Sequence, residues 1–81
     1  AVKWFREAAE HNLVEAQYDL SGCYATGAGV AKDNCEAYKW LLLAARQGDK
    51  DARKNLTALE RKLTPEQIAD GQKRARDFIP R

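Results

Sequence analysis

The sequence predicts an all-α fold, an α/α superhelical solenoid of antiparallel helix pairs with a capping helix at its C-terminal end. Three observations predict it. The 81-residue chain matches itself when displaced by 36 residues: Ala1, Lys3, Trp4, Ala8, Ala9, Ala16 and Leu20 recur as Ala37, Lys39, Trp40, Ala44, Ala45, Ala52 and Leu56. These are seven identities in 26 aligned positions, where about two are expected from average residue usage. A period in the mid-thirties is that of a two-helix solenoid unit. Apolar residues also recur at helical spacing throughout, and no segment alternates as a half-buried strand would.

The elements follow in order. Helix 1–10 has no N-terminal cap and begins in mid-pattern, so it reads as the second helix of a unit whose first helix is absent. Its missing neighbour should leave an apolar edge around Val2 and Phe5. Helix 13–25 carries Leu13, Ala16, Leu20, Cys23 and Tyr24 on one face. The segment from Thr26 to Lys32 is the one real loop, and Gly27 and Gly29 allow it to turn between antiparallel helices. Asp33 is placed to cap helix 34–47, whose stripe is Ala37, Trp40, Leu41, Ala44 and Ala45. Gly48 stands where a left-handed residue ends that helix, and Asp49 can cap the next. Displaced by 36 residues, Gly48 corresponds to Asn12, the next-best residue for a left-handed position. Helix 49–62 and its end present Ala52, Leu56, Leu59 and Leu63. Thr64-Pro65-Glu66-Gln67 reads as a capping box with proline in the first turn. It opens helix 65–78, whose stripe is Ile68, Gly71, Ala75, Phe78 and Ile79. Four segments result: a partial repeat over 1–12, a complete repeat over 13–48, the first helix of a degenerate repeat over 49–63, and a capping helix and tail over 64–81.

Composition excludes several classes. With 44% hydrophobic and 32% charged residues, the chain is neither disordered nor fibrous. Its longest apolar run, Trp40 to Ala45, is far shorter than the ~20 residues of a membrane span. No signal peptide is visible, and the compartment stays open. The net charge is +2. Residues 1–48 carry −1 and residues 49–81 carry +3, which is too mild to announce a nucleic-acid binder but marks where an acidic partner would dock.

Leu20-x-x-x-Tyr24-x-x-Gly27-x-Gly29-Val30-x-x-Asp33-x-x-x-Ala37-x-x-Trp40-x-x-x-Ala44-Ala45-x-x-Gly48 resembles a Sel1-like repeat, a relative of the tetratricopeptide repeat with a longer, glycine-bearing loop. The segment from Leu63 to Gln67 resembles the end of many bacterial members. The family's usual glycine after the helix-A leucine is Ser21 here, and an aromatic that often follows the loop aspartate is Asn34. Beyond Leu56 the motif is lost, which suggests that the array ends there. The resemblance implies a right-handed solenoid for protein–protein interaction, with adaptor or scaffold roles, no catalytic activity and no cofactor.

Individual residues fit that reading. Trp4 and Trp40 are expected to pack between helices at equivalent repeat positions. A Cys23–Cys35 bridge across the loop is geometrically conceivable and would be worth about 3 kcal/mol. In disulfide-rich members of the family, however, the bridges recur in every repeat, and Cys23 aligns with Leu59. Two free buried thiols are therefore expected. His11 is the only histidine, too few ligands for a metal site. Its place at a helix end suits it to the helix dipole. Lys73, Arg74 and Arg76 form a basic face interrupted by Asp70 and Asp77, a weak nucleic-acid footprint.

The expected partner site is the concave face. Opposite the core stripe of helix 13–25 lie Tyr18, Gly22 and Ala25, flanked by Glu15 and Thr26. One repeat later the corresponding residues are Asp51, Lys54, Ala58, Arg61 and Lys62. By similarity to tetratricopeptide repeats, these ten line a groove for another protein or peptide, with cations at one end for an acidic group. The alternatives are a purely structural end of a longer array, self-association through the exposed N-terminal face, and a small basic nucleic-acid-binding domain. One prediction needs only the sequence. Thr64→Ala should cost about 1 kcal/mol, lowering the melting midpoint by roughly 4–8 °C for a domain of this size.

Overall fold

The computed structural model describes residues 2–81. It has five helices among them and no strand: α1 (Val2–Glu10), α2 (Val14–Thr26), α3 (Asn34–Arg46), α4 (Lys50–Glu60) and α5 (Pro65–Arg76). Ala1, the expected first residue of helix 1–10, lies outside the described residues.

The caps form as their residue types dictate. The Asp33 carboxylate accepts from the amides of Cys35 and Glu36, and that of Asp49 accepts from the amide of Ala52. Thr64 and Gln67 complete a reciprocal capping box, so two otherwise orphaned amides gain partners. Both turns that lead from one repeat to the next are alike. Asn12 and Gly48 hold φ of 70° and 95°. In the first turn the Asn12 and Leu13 amides donate to Ala9 and Ala8; in the second, Gly48 and Asp49 donate to Ala45 and Ala44. This is the Schellman pattern, which satisfies the last carbonyls of a helix by reversing the chain.

The loop after α2 is tied down at both ends. The Gly27 amide donates to the Cys23 carbonyl at 2.8 Å, and the Asp33 amide to the Tyr24 carbonyl at 3.0 Å. Gly29 has φ of 77°, and a Cβ there would lie 2.7 Å from Val2 Cγ2. Glycine is required twice over, for its backbone conformation and for the approach of the loop to α1.

Helices α1, α2, α3 and α4 pack each against the next in sequence. One core cluster, Ala9, Ala16, Leu20, Tyr24, Ala37 and Trp40, sits among α1, α2 and α3. A second, Leu41, Ala44, Ala45 and Ala52, joins α3 to α4. Full burial of a leucine such as Leu20 is worth roughly 2 kcal/mol.

Helix α5 breaks the succession. It packs along α3 rather than pairing with α4. Gly71 makes this possible, because a Cβ there would lie 2.5 Å from Tyr38 Cδ1. Arg74 reaches Asp33 (3.6 Å), Glu36 (3.3 Å) and Asp70 (3.0 Å). Phe78 meets Trp40 edge to face, with ring centroids 5.3 Å apart. The tail then crosses to α1: the Arg81 amide donates to the Glu10 carbonyl, and its guanidinium pairs with the Glu10 carboxylate at 3.4 Å.

Four expectations change. Leu13 is 45% exposed, because it is the N-cap of α2 with extended backbone, off the helical stripe. Ile79 is 82% exposed, because α5 ends at Arg76 and the helical register ends with it. The apolar edge of α1 is Trp4, 59% exposed, whereas Val2 and Phe5 pack onto the core. Trp40, its equivalent, is 3% exposed under α5. The two cysteines are unbridged, but half-buried rather than buried.

Tyr38 yields a prediction. Its hydroxyl donates to Glu60 Oε2 at 2.7 Å, and the side chain is fully enclosed. Burial, reinforced by the Glu60 carboxylate, pushes its pKa from 10 up to about 12. The folded chain then keeps a proton that the unfolded chain releases. The contribution is complete below pH 10 and is lost as pH rises from 10 to 12, by about 3 kcal/mol in all. Chemical denaturation across that range should show Tyr38→Phe losing less stability with pH than the parent; identical slopes would contradict this assignment.

Candidate functional site

A groove of about 360 Å³ lies between α2 and α4. They begin 36 residues apart in the sequence, and α3 forms the floor between them. Tyr18, Asp19, Ser21, Gly22 and Ala25 come from α2, Ala37 and Leu41 from α3, and Asn55, Ala58 and Leu59 from α4, with Lys62 just beyond its end.

The local geometry of each wall has a cause. Ser21 Oγ donates to the Tyr18 carbonyl at 2.6 Å, turning its hydroxyl back onto its own helix. Asn55 Nδ2 donates to the Tyr18 hydroxyl at 2.6 Å. That bond joins the two walls at one end, and the Tyr18 ring packs on the α3–α4 core cluster beneath. The floor is apolar, because Ala37 and Leu41 face the groove from within the core. At the other end stand Ala25 and Lys62. Asp19 and Lys62 enter no ion pair among the described residues.

Gly22 is the informative residue. It lies in the interior of α2, and its φ is not positive. A Cβ placed there meets nothing within 4 Å. Neither backbone conformation nor packing within the chain calls for glycine, which costs roughly 0.5–1 kcal/mol relative to alanine inside a helix.

Of the ten residues expected on the concave face, the groove gathers Tyr18, Gly22, Ala25, Ala58 and Lys62. Glu15, Thr26, Asp51, Lys54 and Arg61 do not line it. The reason is rotational. Displacement by 36 residues selects the same outward face on each helix, but a groove is lined by the flanks that face each other. On α4 that flank keeps Ala58 and Lys62 and exchanges Asp51, Lys54 and Arg61 for Asn55 and Leu59. Asn55 and Asp19 were not foreseen, although they are 36 residues apart and border the expected face. Considering each helix together with its neighbour would have found them.

Among the described residues no group of histidine, cysteine and carboxylate side chains is placed to hold a metal ion. Burial, reinforced by the Asp70 carboxylate, raises the Cys35 pKa, which disfavours its thiolate. His11 donates from Nδ1 to the Arg81 carbonyl at 2.8 Å, so it fastens the C-terminal tail. Arg74 is engaged by three carboxylates, which weakens the basic face of α5 as a phosphate footprint. Among the described residues no helix is long and apolar enough to cross a membrane.

The Sel1 repeat model matches residues 1–13 and 14–49. The chain belongs to the Sel1-repeat family. Its helices accordingly form a Sel1-like, tetratricopeptide-like helical repeat. Chitin synthase regulatory factor 3 of Schizosaccharomyces pombe is 39% identical over 56 residues. That match covers 69% of this chain and only 6% of the yeast protein.

The vacancy over Gly22 can be tested by itself. Gly22→Ala should raise unfolding free energy by roughly 0.5–1 kcal/mol, measured by urea denaturation. A loss of stability would mean that the glycine serves the fold after all.

Proposed function

We propose that this Sel1-repeat segment is a non-catalytic protein-interaction module, which holds a stretch of a partner protein in the groove between α2 and α4. The observation that carries the proposal is Gly22: a helix-interior glycine that the chain's own packing does not use, in the lining of the groove between α2 and α4. Sel1 repeats are interaction modules, which supports the reading. So does the name of the yeast relative, a regulatory factor for an enzyme. In that role the segment over 13–48 is the complete repeat, 1–12 the end of the preceding one, 49–63 the start of a degenerate one, and 64–81 the cap.

Tyr18 supplies an amphipathic anchor. Lys62, the groove-lining member of the cations at the end of α4, faces an acidic group of the partner; Lys54 and Arg61 lie outside the lining and add only to the local field.

A second reading is favoured by Trp4. Its equivalent Trp40 is sealed by Phe78, and Trp4 has no such cover. The outer face of α1 then continues a longer array or meets a second copy, and the groove is one of several.

Tyr18→Ala combined with Lys62→Glu should abolish partner capture from an extract of the source cells while far-ultraviolet circular dichroism stays native. Unchanged capture by the double variant would overturn the groove as the binding site.

A further inference from the structure

The groove has more than room; it has polarity. We infer that its occupant is an extended stretch of a partner protein with two opposite charges about three residues apart and small apolar residues between them. This inference rests on the groove reading above and specifies what fits.

The occupant is extended for reasons of hydrogen bonding. A helix pairs its backbone groups within itself and would leave the polar end of the groove unused. An extended chain arrives with unpaired backbone amides and carbonyls, which need partners when buried. The groove supplies them at the Tyr18–Asn55 end. Asn55 spends one amide hydrogen on the Tyr18 hydroxyl, which leaves its second amide hydrogen, its carbonyl oxygen and the hydroxyl proton of Tyr18. Gly22 presents no Cβ to the lumen, so a main chain can pass close above it.

The charges define a register. Asp19 stands near the Tyr18 end of the groove and Lys62 at the Ala25 end. Both line it, and neither enters an ion pair among the described residues. In the 36-residue register Lys62 is level with Thr26. At 1.5 Å per helical residue, the two charges are about 10 Å apart along the groove. An extended chain covers that distance in about three residues. A cation of the partner would therefore sit by Asp19 and an anion by Lys62. Between them the apolar floor of Ala37, Leu41 and Ala58 accepts small apolar side chains while the main chain lies over Gly22.

The test uses the 81-residue chain and ten-residue capped peptides built around Lys-Val-Ala-Glu, the reverse order Glu-Val-Ala-Lys, and the like-charged Lys-Val-Ala-Lys and Glu-Val-Ala-Glu. Binding is read from nitrogen-15 chemical shifts at Gly22, Ala25 and Ala58. The expected result is that one opposite-charge order binds at least fivefold tighter than the other three peptides. The Asp19→Lys, Lys62→Glu double variant should transfer that preference to the reversed order. Equal affinities for all four peptides, no binding by any, or a preference that the double variant leaves unmoved would overturn the charge register. Gly22→Leu separates this from the groove reading. If it abolishes binding while the charge reversal changes nothing, the groove stands and the register falls. If bound peptide shifts residues outside the groove and Gly22→Leu has no effect, both fall.

Discussion

Everything in this fold depends on how closely the end of one helix can approach the start of the next. Ala9 and Ala16 face each other across the turn at Asn12, and Ala45 and Ala52 do the same across the turn at Gly48. All four are buried. Alanine is the side chain that permits this approach without interrupting the helix, and the left-handed residue between them reverses the chain within two positions. A long side chain then holds each closure. Gln17 Nε2 donates to the Ala9 carbonyl at 3.2 Å, and Arg53 Nε donates to the Ala45 carbonyl at 3.4 Å. Gln17 and Arg53 differ by 36 residues, as do Ala9 and Ala45. Two different side chains thus add a further donor to the equivalent helix-end carbonyl in successive units, each already bonded by the turn's own amide.

The two bonds differ in what surrounds them. Gln17 is fully enclosed and is drawn into a network: it donates to Asn12 Oδ1, and its own Oε1 accepts from Gln47 at 2.9 Å. Gln47 also donates to Asn12. The first turn is therefore locked to the second through side-chain amides, of which Gln17 is buried and Asn12 and Gln47 are exposed. Arg53 is exposed and engages only the one carbonyl. Helix α5 turns back onto α3, with Gly71 against Tyr38, and takes no position beside α4. The groove therefore remains bounded by α2, α3 and α4.

The local chemistry was readable residue by residue. Asp33, Asp49 and Thr64 cap as their side chains dictate, and Asn12 and Gly48 occupy the left-handed positions. The alanines and Trp40 are buried where the helical period places them. Failures came at helix ends. Leu13 and Ile79 continue an apolar pattern by spacing, but the helices do not extend through them, so their side chains leave the stripe. Gln17 is the opposite case, a polar residue that the fold encloses. A glutamine read one residue at a time is a surface residue, and only its three amide partners make burial tolerable.

The candidate site shows the same division. Tyr18, Gly22, Ala25, Ala58 and Lys62 were legible because each helix has a face opposite its core. The sequence by itself determined the family, the helices, their caps and the small residues that let them touch, since all of these follow from near neighbours along the chain. Only the tertiary structure decided which flank of α4 turns toward α2, bringing in Asn55, Asp19 and Leu59 and leaving Lys54 and Arg61 outside. It also decided that α5 lies on α3. Both depend on the relative rotation of helices distant in sequence, which is set by side-chain packing in three dimensions and not by any repeat within the chain.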